Sequence, residues 1–161
     1  MKNKGFTLIE LLAVIVILAI IALIATPVIL GIIEDARTSA AERSAELVKS
    51  GVQNAYTGYM MKNNGVAPSK VGEYMAESAG FFTVDSVTVA ESVTTSSTEV
   101  EVTTDDNVTC TIAQDTTDST QVKVACAGSF PEVKTDDDKY VKDAWDSGNR
   151  TYYFTASLKT N

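Results

Sequence analysis

The sequence predicts an α+β fold in which one long N-terminal helix packs against an antiparallel β-sheet head domain. Residues 11–33 form a run of 23 residues without Lys, Arg, Asp or Glu, and residues 34–62 continue with apolar side chains at helical spacing. From residue 82 onward the pattern changes to β-branched residues in alternation, interrupted by turn residues. A helical region followed by strands is typical of α+β proteins.

Composition restricts the function before any motif is considered. The chain has 161 residues, a net charge of −8 and no histidine, which is the commonest general base and metal ligand. An acidic body repels nucleic-acid phosphates. The sequence also contains no G-x-G-x-x-G, P-loop or C-x-x-C pattern. We therefore expect a protein that is not an enzyme, carries no cofactor and makes no direct contact with nucleic acid.

The N-terminal segment has the length of a membrane span. Lys2 and Lys4 precede the apolar run and predict a cytoplasmic N-terminus. A helix of 23 residues is roughly 35 Å long, which is enough to cross a bilayer with some tilt. The apolar core of a cleaved secretory signal has only about 7–15 residues. This segment is therefore expected to stay on the protein as an anchor.

Glu10 is the unusual residue of this segment, because a carboxylate in an apolar membrane environment is costly. One interpretation places Glu10 at the level of the lipid headgroups, where water solvates it. The residues around it support a second interpretation.

The stretch GFTLIELLAVIVILAIIALIATP resembles the N-terminus of type IV pilins and the related pseudopilins. The resemblance rests on a glycine before Phe6, on Glu10 as the fifth residue counted from Phe6, on the uninterrupted apolar stretch, and on Pro27. It implies that a membrane-embedded aspartyl enzyme, the prepilin peptidase, cuts after Gly5 and methylates the new amino terminus at Phe6. Residues 1–5 are then a leader peptide.

The resemblance also implies a role for the carboxylate. In a helical filament of identical subunits, Glu10 of one subunit meets the Phe6 amine of a neighbour. Either charge alone in an apolar filament core would be costly, so the pair would fix the register of assembly.

Residues 6–33 are expected to form the membrane-spanning or filament-core part of the helix, and the resemblance also bears on whether this part is straight. Many members of the family have a glycine in mid-segment, where this chain has Ala19, a strong helix former. Pro27 removes a helical hydrogen bond, and Gly31 follows four residues later. We therefore expect a kink or a loosened stretch between Thr26 and Gly31.

Residues 34–62 are expected to form the amphipathic continuation of this helix. Asn63, Asn64 and Gly65 then give a stop signal. The apolar residues fall on one broad stripe: Ala36, Ala40, Leu47, Val48, Val52, Ala55 and Tyr59. A stripe this rich in small residues, without a heptad repeat, favours packing against a sheet over a coiled coil.

Residues 63–161 are expected to form the β-rich head domain. A short helix is predicted from about Ser69, with Val71, Tyr74, Met75 and Ala79 on its apolar face. The alternation predicts five strands, at Phe82–Ala90, Glu99–Thr104, Asn107–Ala113, Gln121–Ala127 and Thr151–Leu158.

The two cysteines lie on neighbouring predicted strands. If these strands form a hairpin centred on Asp118, Cys110 lies directly opposite Cys126, at the separation that a disulfide requires. An even number of cysteines in a translocated domain favours a structural disulfide. The alternative is two buried free thiols.

An acidic loop is a candidate calcium site. Asp136, Asp138, Asp143 and Asp146 offer hard oxygen ligands, and DAWDSGN is faintly similar to a segment beside the calcium site of some secretion pseudopilins. The pattern is not an EF-hand, and a solvated acidic loop accounts for it as well. Calcium is therefore a weak expectation, and no other metal is predicted.

The sequence thus predicts a type IV prepilin that is membrane-bound before assembly and lies in an extracellular filament afterwards. Its expected partners are the prepilin peptidase, the pilus assembly machinery and other copies of itself. Adhesion, motility and aggregation would be functions of the assembled pilus. One alternative is a pseudopilin of a type II secretion or DNA-uptake system, and another is a single-pass anchored surface-binding protein.

Overall fold

The structure is a computed structural model that describes residues 7–76, 87–89, 93–130, 148–156 and 158. Its sheet is an antiparallel meander in which each strand pairs with its neighbours in sequence. The α+β class is confirmed, with a long N-terminal helix and a five-stranded sheet. The elements are α1 (Leu8–Lys62), α2 (Val71–Met75), β1 (Val87–Val89), β2 (Glu99–Thr104), β3 (Thr109–Gln114), β4 (Gln121–Ala127) and β5 (Asn149–Thr155).

The chain divides into two compact units, residues 1–36 and residues 37–161. In the first unit, all described residues after Thr7 are helical, and none of their side chains is buried. The large apolar side chains from Leu8 to Ile33 are exposed on every side of the helix. By length and composition this stretch is apolar enough to cross a membrane. It therefore lacks the polar face with which a surface helix of a soluble protein meets water.

The second unit has its core between the C-terminal part of α1 and one face of the sheet. The predicted stripe is correct at Val48, Val52 and Ala55, which are buried, but Ala36 is exposed and Ala40 is half-buried. Small side chains differ little in hydrophobicity from their neighbours, so they fix the rotation of a helix poorly. The buried residues of α1 are Ala41, Ala45, Val48, Gly51, Val52 and Ala55.

The inner face of the sheet supplies the other side of this core. Strands β2 and β4 have the predicted bounds, and alternate residues of β2 to β5 are buried. The last predicted strand begins two residues earlier than expected, at Asn149, and ends at Thr155. Its buried face nevertheless continues through four residues of the predicted strand, Tyr152, Phe154, Ala156 and Leu158. The predicted strand at 82–90 is described only at Val87–Val89.

The early start of β5 places Arg150 on the buried face, where its side chain is fully enclosed. Its Nη2 atom lies 3.1 Å from Oε1 of Glu42 on α1, and the Glu42 side chain is 39% exposed. The guanidinium also lies 4.8 Å from the centre of the Phe130 ring. A buried guanidinium requires such partners, so Arg150 ties the position of β5 to one turn of α1.

Helix α2 lies close to the loop before β2. The predicted apolar residues Val71, Tyr74 and Met75 are buried, whereas Ala79 lies outside the described residues. The Gly72 amide donates to the Ser97 carbonyl at 2.8 Å, and a Cβ at Gly72 would collide with the Thr94 carbonyl oxygen. Only glycine permits this close approach.

The predicted end of α1 is confirmed by a capped turn. The Gly65 amide donates to the Met60 carbonyl at 2.7 Å, and Asn64 has φ 52°, in the left-handed region. This six-to-one hydrogen bond after a left-handed residue is the Schellman arrangement. It directs the chain out of the helix toward α2.

The turn of the β3–β4 hairpin is held by its own side chains. The Thr117 hydroxyl donates to Asp115, and the Thr120 hydroxyl and amide donate to Asp118. These hydrogen bonds lower the pKa of both aspartates from the ordinary value. Their contribution to stability is therefore present at neutral pH and is lost as the pH falls through the lowered pKa values.

The Arg150–Glu42 pair gives a prediction about stability. Glu42→Gln removes the carboxylate that pairs with the buried guanidinium, whereas Arg150→Met removes the buried charge and leaves Glu42 within reach of water. We expect Glu42→Gln to destabilise the second unit by about 3 kcal/mol, and Arg150→Met by less. Urea unfolding of the full chain in detergent, monitored by near-ultraviolet circular dichroism of the tyrosines, measures the free energy of unfolding of both variants. A larger loss for Arg150→Met would contradict this account.

Candidate functional site

The N-terminus of α1 is built around a reciprocal contact between Thr7 and Glu10. The Thr7 amide donates to Oε2 of Glu10 at 2.9 Å, and the Thr7 hydroxyl donates to the same oxygen at 2.7 Å. In return, the Glu10 amide donates to the Thr7 hydroxyl oxygen at 3.3 Å. Each residue therefore satisfies a backbone amide of the other.

This arrangement is a capping box. The helix begins at Leu8, so Thr7 is the N-cap residue and Glu10 is the third residue of the helix. The first four amides of a helix lack intrahelical acceptors, and an apolar surrounding supplies none. The carboxylate also lies at the positive end of the helix dipole, which favours negative charge. Glu10 thus has a structural partner within its own chain.

The capping box was not anticipated from the sequence, although its signature is present. Thr7-Leu8-Ile9-Glu10 followed by an apolar run fits the pattern of Ser or Thr with Glu three residues later. The geometry leaves one carboxylate oxygen available, because Oε1 of Glu10 has no hydrogen-bond partner among the described residues. One oxygen can thus cap the helix while the other binds a second group.

Pro27 and Gly31 lie inside a continuous helix. α1 runs unbroken from Leu8 to Lys62 through both residues, so this structure shows no loosened stretch between Thr26 and Gly31. The Thr26 hydroxyl donates to the Ala22 carbonyl at 2.7 Å, one turn before the proline. A Cβ at Gly31 would meet nothing within 4 Å. A loosened helix around Pro27 stays a prediction for the assembled state.

Cys110 and Cys126 form the expected disulfide. They are direct partners in the β3–β4 ladder, as predicted from a hairpin centred on Asp118, and Ile112 faces Val124 in the same register. Both sulfur-bearing residues belong to the core, so this bond is structural.

Several predicted site residues lie outside the described residues. They are the cleavage and methylation positions Gly5 and Phe6, and the candidate calcium ligands Asp136, Asp138, Asp143 and Asp146. Within the described part of the chain, no three His, Cys, Asp or Glu side chains form a group that could hold a metal ion. The calcium hypothesis is therefore neither supported nor opposed.

Comparison with known protein families identifies the N-terminal segment. Residues 1–26 match the prokaryotic N-terminal methylation motif. The matched segment contains Gly5, Phe6, Thr7 and Glu10, so the capping box lies inside the methylation motif. This motif is the signal sequence of type IV pilins, and the match supports the resemblance to prepilins and pseudopilins. Neither the curated proteins nor the solved structures gave a match.

The capping box gives a prediction about the start of α1. Thr7→Val keeps the shape of the side chain but removes the hydroxyl, whereas Thr7→Ser keeps the hydroxyl. We expect amide exchange at residues 7–10 to become about fivefold faster in Thr7→Val, the effect of losing one ordinary cap. Hydrogen exchange measured by NMR in detergent micelles tests this. Equal protection in the valine and serine variants would show that the hydroxyl does not hold the helix start.

Proposed function

We propose that this chain is a type IV prepilin, the structural subunit of an extracellular filament. The methylation motif at residues 1–26 carries the proposal, because it predicts one cut after Gly5 and methylation of Phe6. Under this proposal the chain is the substrate of a processing enzyme and catalyses nothing itself. It requires neither a cofactor nor a bound metal ion.

The exposed apolar part of α1 supports the proposal. Its side chains from Leu8 to Ile33 face outward on every side. Before assembly the lipid bilayer covers them, with the basic residues Lys2 and Lys4 on the cytoplasmic side. After assembly the same surface packs against equivalent helices of other subunits, so the apolar area stays away from water at both stages.

Glu10 links the two stages. In the membrane its carboxylate is satisfied by Thr7 through Oε2. In the filament the Phe6 amine released by cleavage binds Oε1 of Glu10 on a neighbouring subunit. A subunit out of register would leave a charged amine without an acceptor in an apolar core. The pair therefore selects one register.

The methylation motif is shared with pseudopilins of secretion and DNA-uptake systems. The presence of a filament on the cell surface distinguishes a pilin from a pseudopilin. We propose the pilus, in which adhesion or motility is a property of the assembled fibre. Shearing intact cells and probing the released fraction for this chain tests the choice. Abundant sheared filaments are expected, and a chain confined to the cell envelope would support the pseudopilin.

Processing provides the test of the proposed family function. The chain is co-expressed with a prepilin peptidase, and its N-terminus is determined by mass spectrometry. We expect a mature chain that begins at N-methylated Phe6. A chain that retains Met1 under conditions where a known prepilin is cut would overturn the proposal and favour a simple anchored surface protein.

The register hypothesis gives a separate prediction. Glu10→Ala should be cleaved and methylated normally, yet form filaments at a small fraction of the normal yield, because the Phe6 amine has no counter-charge. Thr7→Val is the matched control for helix capping, since it loses the hydroxyl but keeps the carboxylate. Normal filament yield from Glu10→Ala would refute the pairing.

A further inference from the structure

The Cys110–Cys126 disulfide lies in one of the most enclosed parts of the second unit. Cys110 is 0% exposed and Cys126 is 2% exposed. Val102 of β2 lies beside Cys110 in the ladder, and Arg150 of β5 lies beside Cys126. Strands therefore cover the disulfide on both sides within the sheet.

Residues of helix α1 share the buried core with the disulfide. Arg150, the neighbour of Cys126, is paired with Glu42 of α1, and Ala41 and Ala45 of the same helix belong to the core cluster that contains both cysteines. Protein cores are packed as closely as organic crystals. No molecule of the size of a thiol reagent fits beside these sulfur atoms while the core is intact.

Formation of the bond requires that an oxidant reach the sulfur atoms. One cysteine thiolate attacks a sulfur of an oxidant disulfide, which gives a mixed disulfide and releases one oxidant thiolate. The second cysteine thiolate then attacks the protein sulfur of the mixed disulfide and releases the second oxidant thiolate. The cysteines lose two protons and two electrons, and the oxidant accepts the electrons. The intermediate carries the oxidant on a residue that the packed structure buries.

The hairpin that carries the cysteines can align them without α1. The two cysteines are 16 residues apart, whereas Arg150 and Glu42 are 108 residues apart. The hydrogen bonds of the turn are local, including those from Thr120 to Asp118. A short loop closes at a smaller entropic cost than a long one, so the hairpin is expected to form first.

We propose that the Cys110–Cys126 bond forms on the β3–β4 hairpin before the sheet packs onto α1. The oxidant is a molecule that itself carries a disulfide, either an oxidoreductase in its oxidised, disulfide form or a small-molecule disulfide. Once α1 is packed, the bond exchanges with external thiols only when the second unit unfolds. The inference does not depend on cleavage or filament assembly, so its failure and the failure of the proposed function are distinguishable.

The first test measures reduction of the native bond in the full chain, kept in detergent. Dithiothreitol is added over a series of urea concentrations, and free thiols are counted by maleimide labelling and mass spectrometry. We expect reduction in the absence of urea to be at least about a thousandfold slower than in the unfolded chain, because few molecules are unfolded at any moment. The Glu42→Gln variant should be reduced faster, in proportion to its loss of stability. A urea-independent rate that is equal in both proteins would overturn the proposal.

The second test measures oxidation of the reduced chain by oxidised glutathione, with limited proteolysis as the measure of packing. If the reduced chain packs, its oxidation should be much slower in buffer than in urea. If it stays sensitive to protease until it is oxidised, the bond precedes packing, which also supports the proposal. A reduced chain that resists protease and yet oxidises as fast as the unfolded chain would overturn it.

Discussion

Packing of α1 against the inner face of the sheet is the interaction on which the folded second unit depends. The buried positions of α1 in this unit are alanine, glycine and valine, which are small side chains. The inner face of the sheet contributes larger side chains to this core, including Ile112, Tyr152 and Phe154. Small residues on one surface and large ones on the other give the interlocking that a dense core requires. Arg150 then fixes where along the helix this packing occurs.

The first unit obeys a different constraint, because its helix has no protein core to pack against within the described residues. Its stability comes from backbone hydrogen bonds, which strengthen where water is excluded. The critical point is then the first turn, whose amides have no helical acceptors. Thr7 and Glu10 satisfy part of this requirement with side chains. The carboxylate that looked misplaced in an apolar segment is therefore a structural component of that segment before any second subunit arrives.

The sequence predicted best those elements whose alternation of apolar and polar residues is regular. β2 and β4 alternate cleanly, and the hairpin register followed from counting outward from Asp118. The phase of α1 was one residue in error at Ala40, because Ala40 and the buried Ala41 have the same side chain and hydrophobicity cannot distinguish them. Arg150 was missed because alternation alone does not place a charged residue in a core, and its partner lies 108 residues away. The contact between Gly72 and Thr94 was equally invisible, since only the folded backbone shows it.

The capping box was a different kind of omission. Thr7 and Glu10 have the spacing of a capping box in the sequence, whereas the resemblance to prepilins implies a partner for Glu10 on another subunit. The proposed pairing is compatible with the cap, because the cap uses only Oε2 of the carboxylate. A charged residue near a helix start can therefore cap its own helix and still offer an oxygen to a second group.

The meander order of the sheet has a consequence for the proposed export of the chain across a membrane. Each of the five described strands pairs with the described strands next to it in sequence, from β1 to β5. A chain that is exported progressively, N-terminus anchored and C-terminus last, presents each new strand to a partner that has already emerged. Among the strands that the structure describes, none has to pair with a distant segment or be inserted between two others. The topology thus permits folding to keep pace with translocation, and it leaves β5, with Arg150, as the strand that completes the unit.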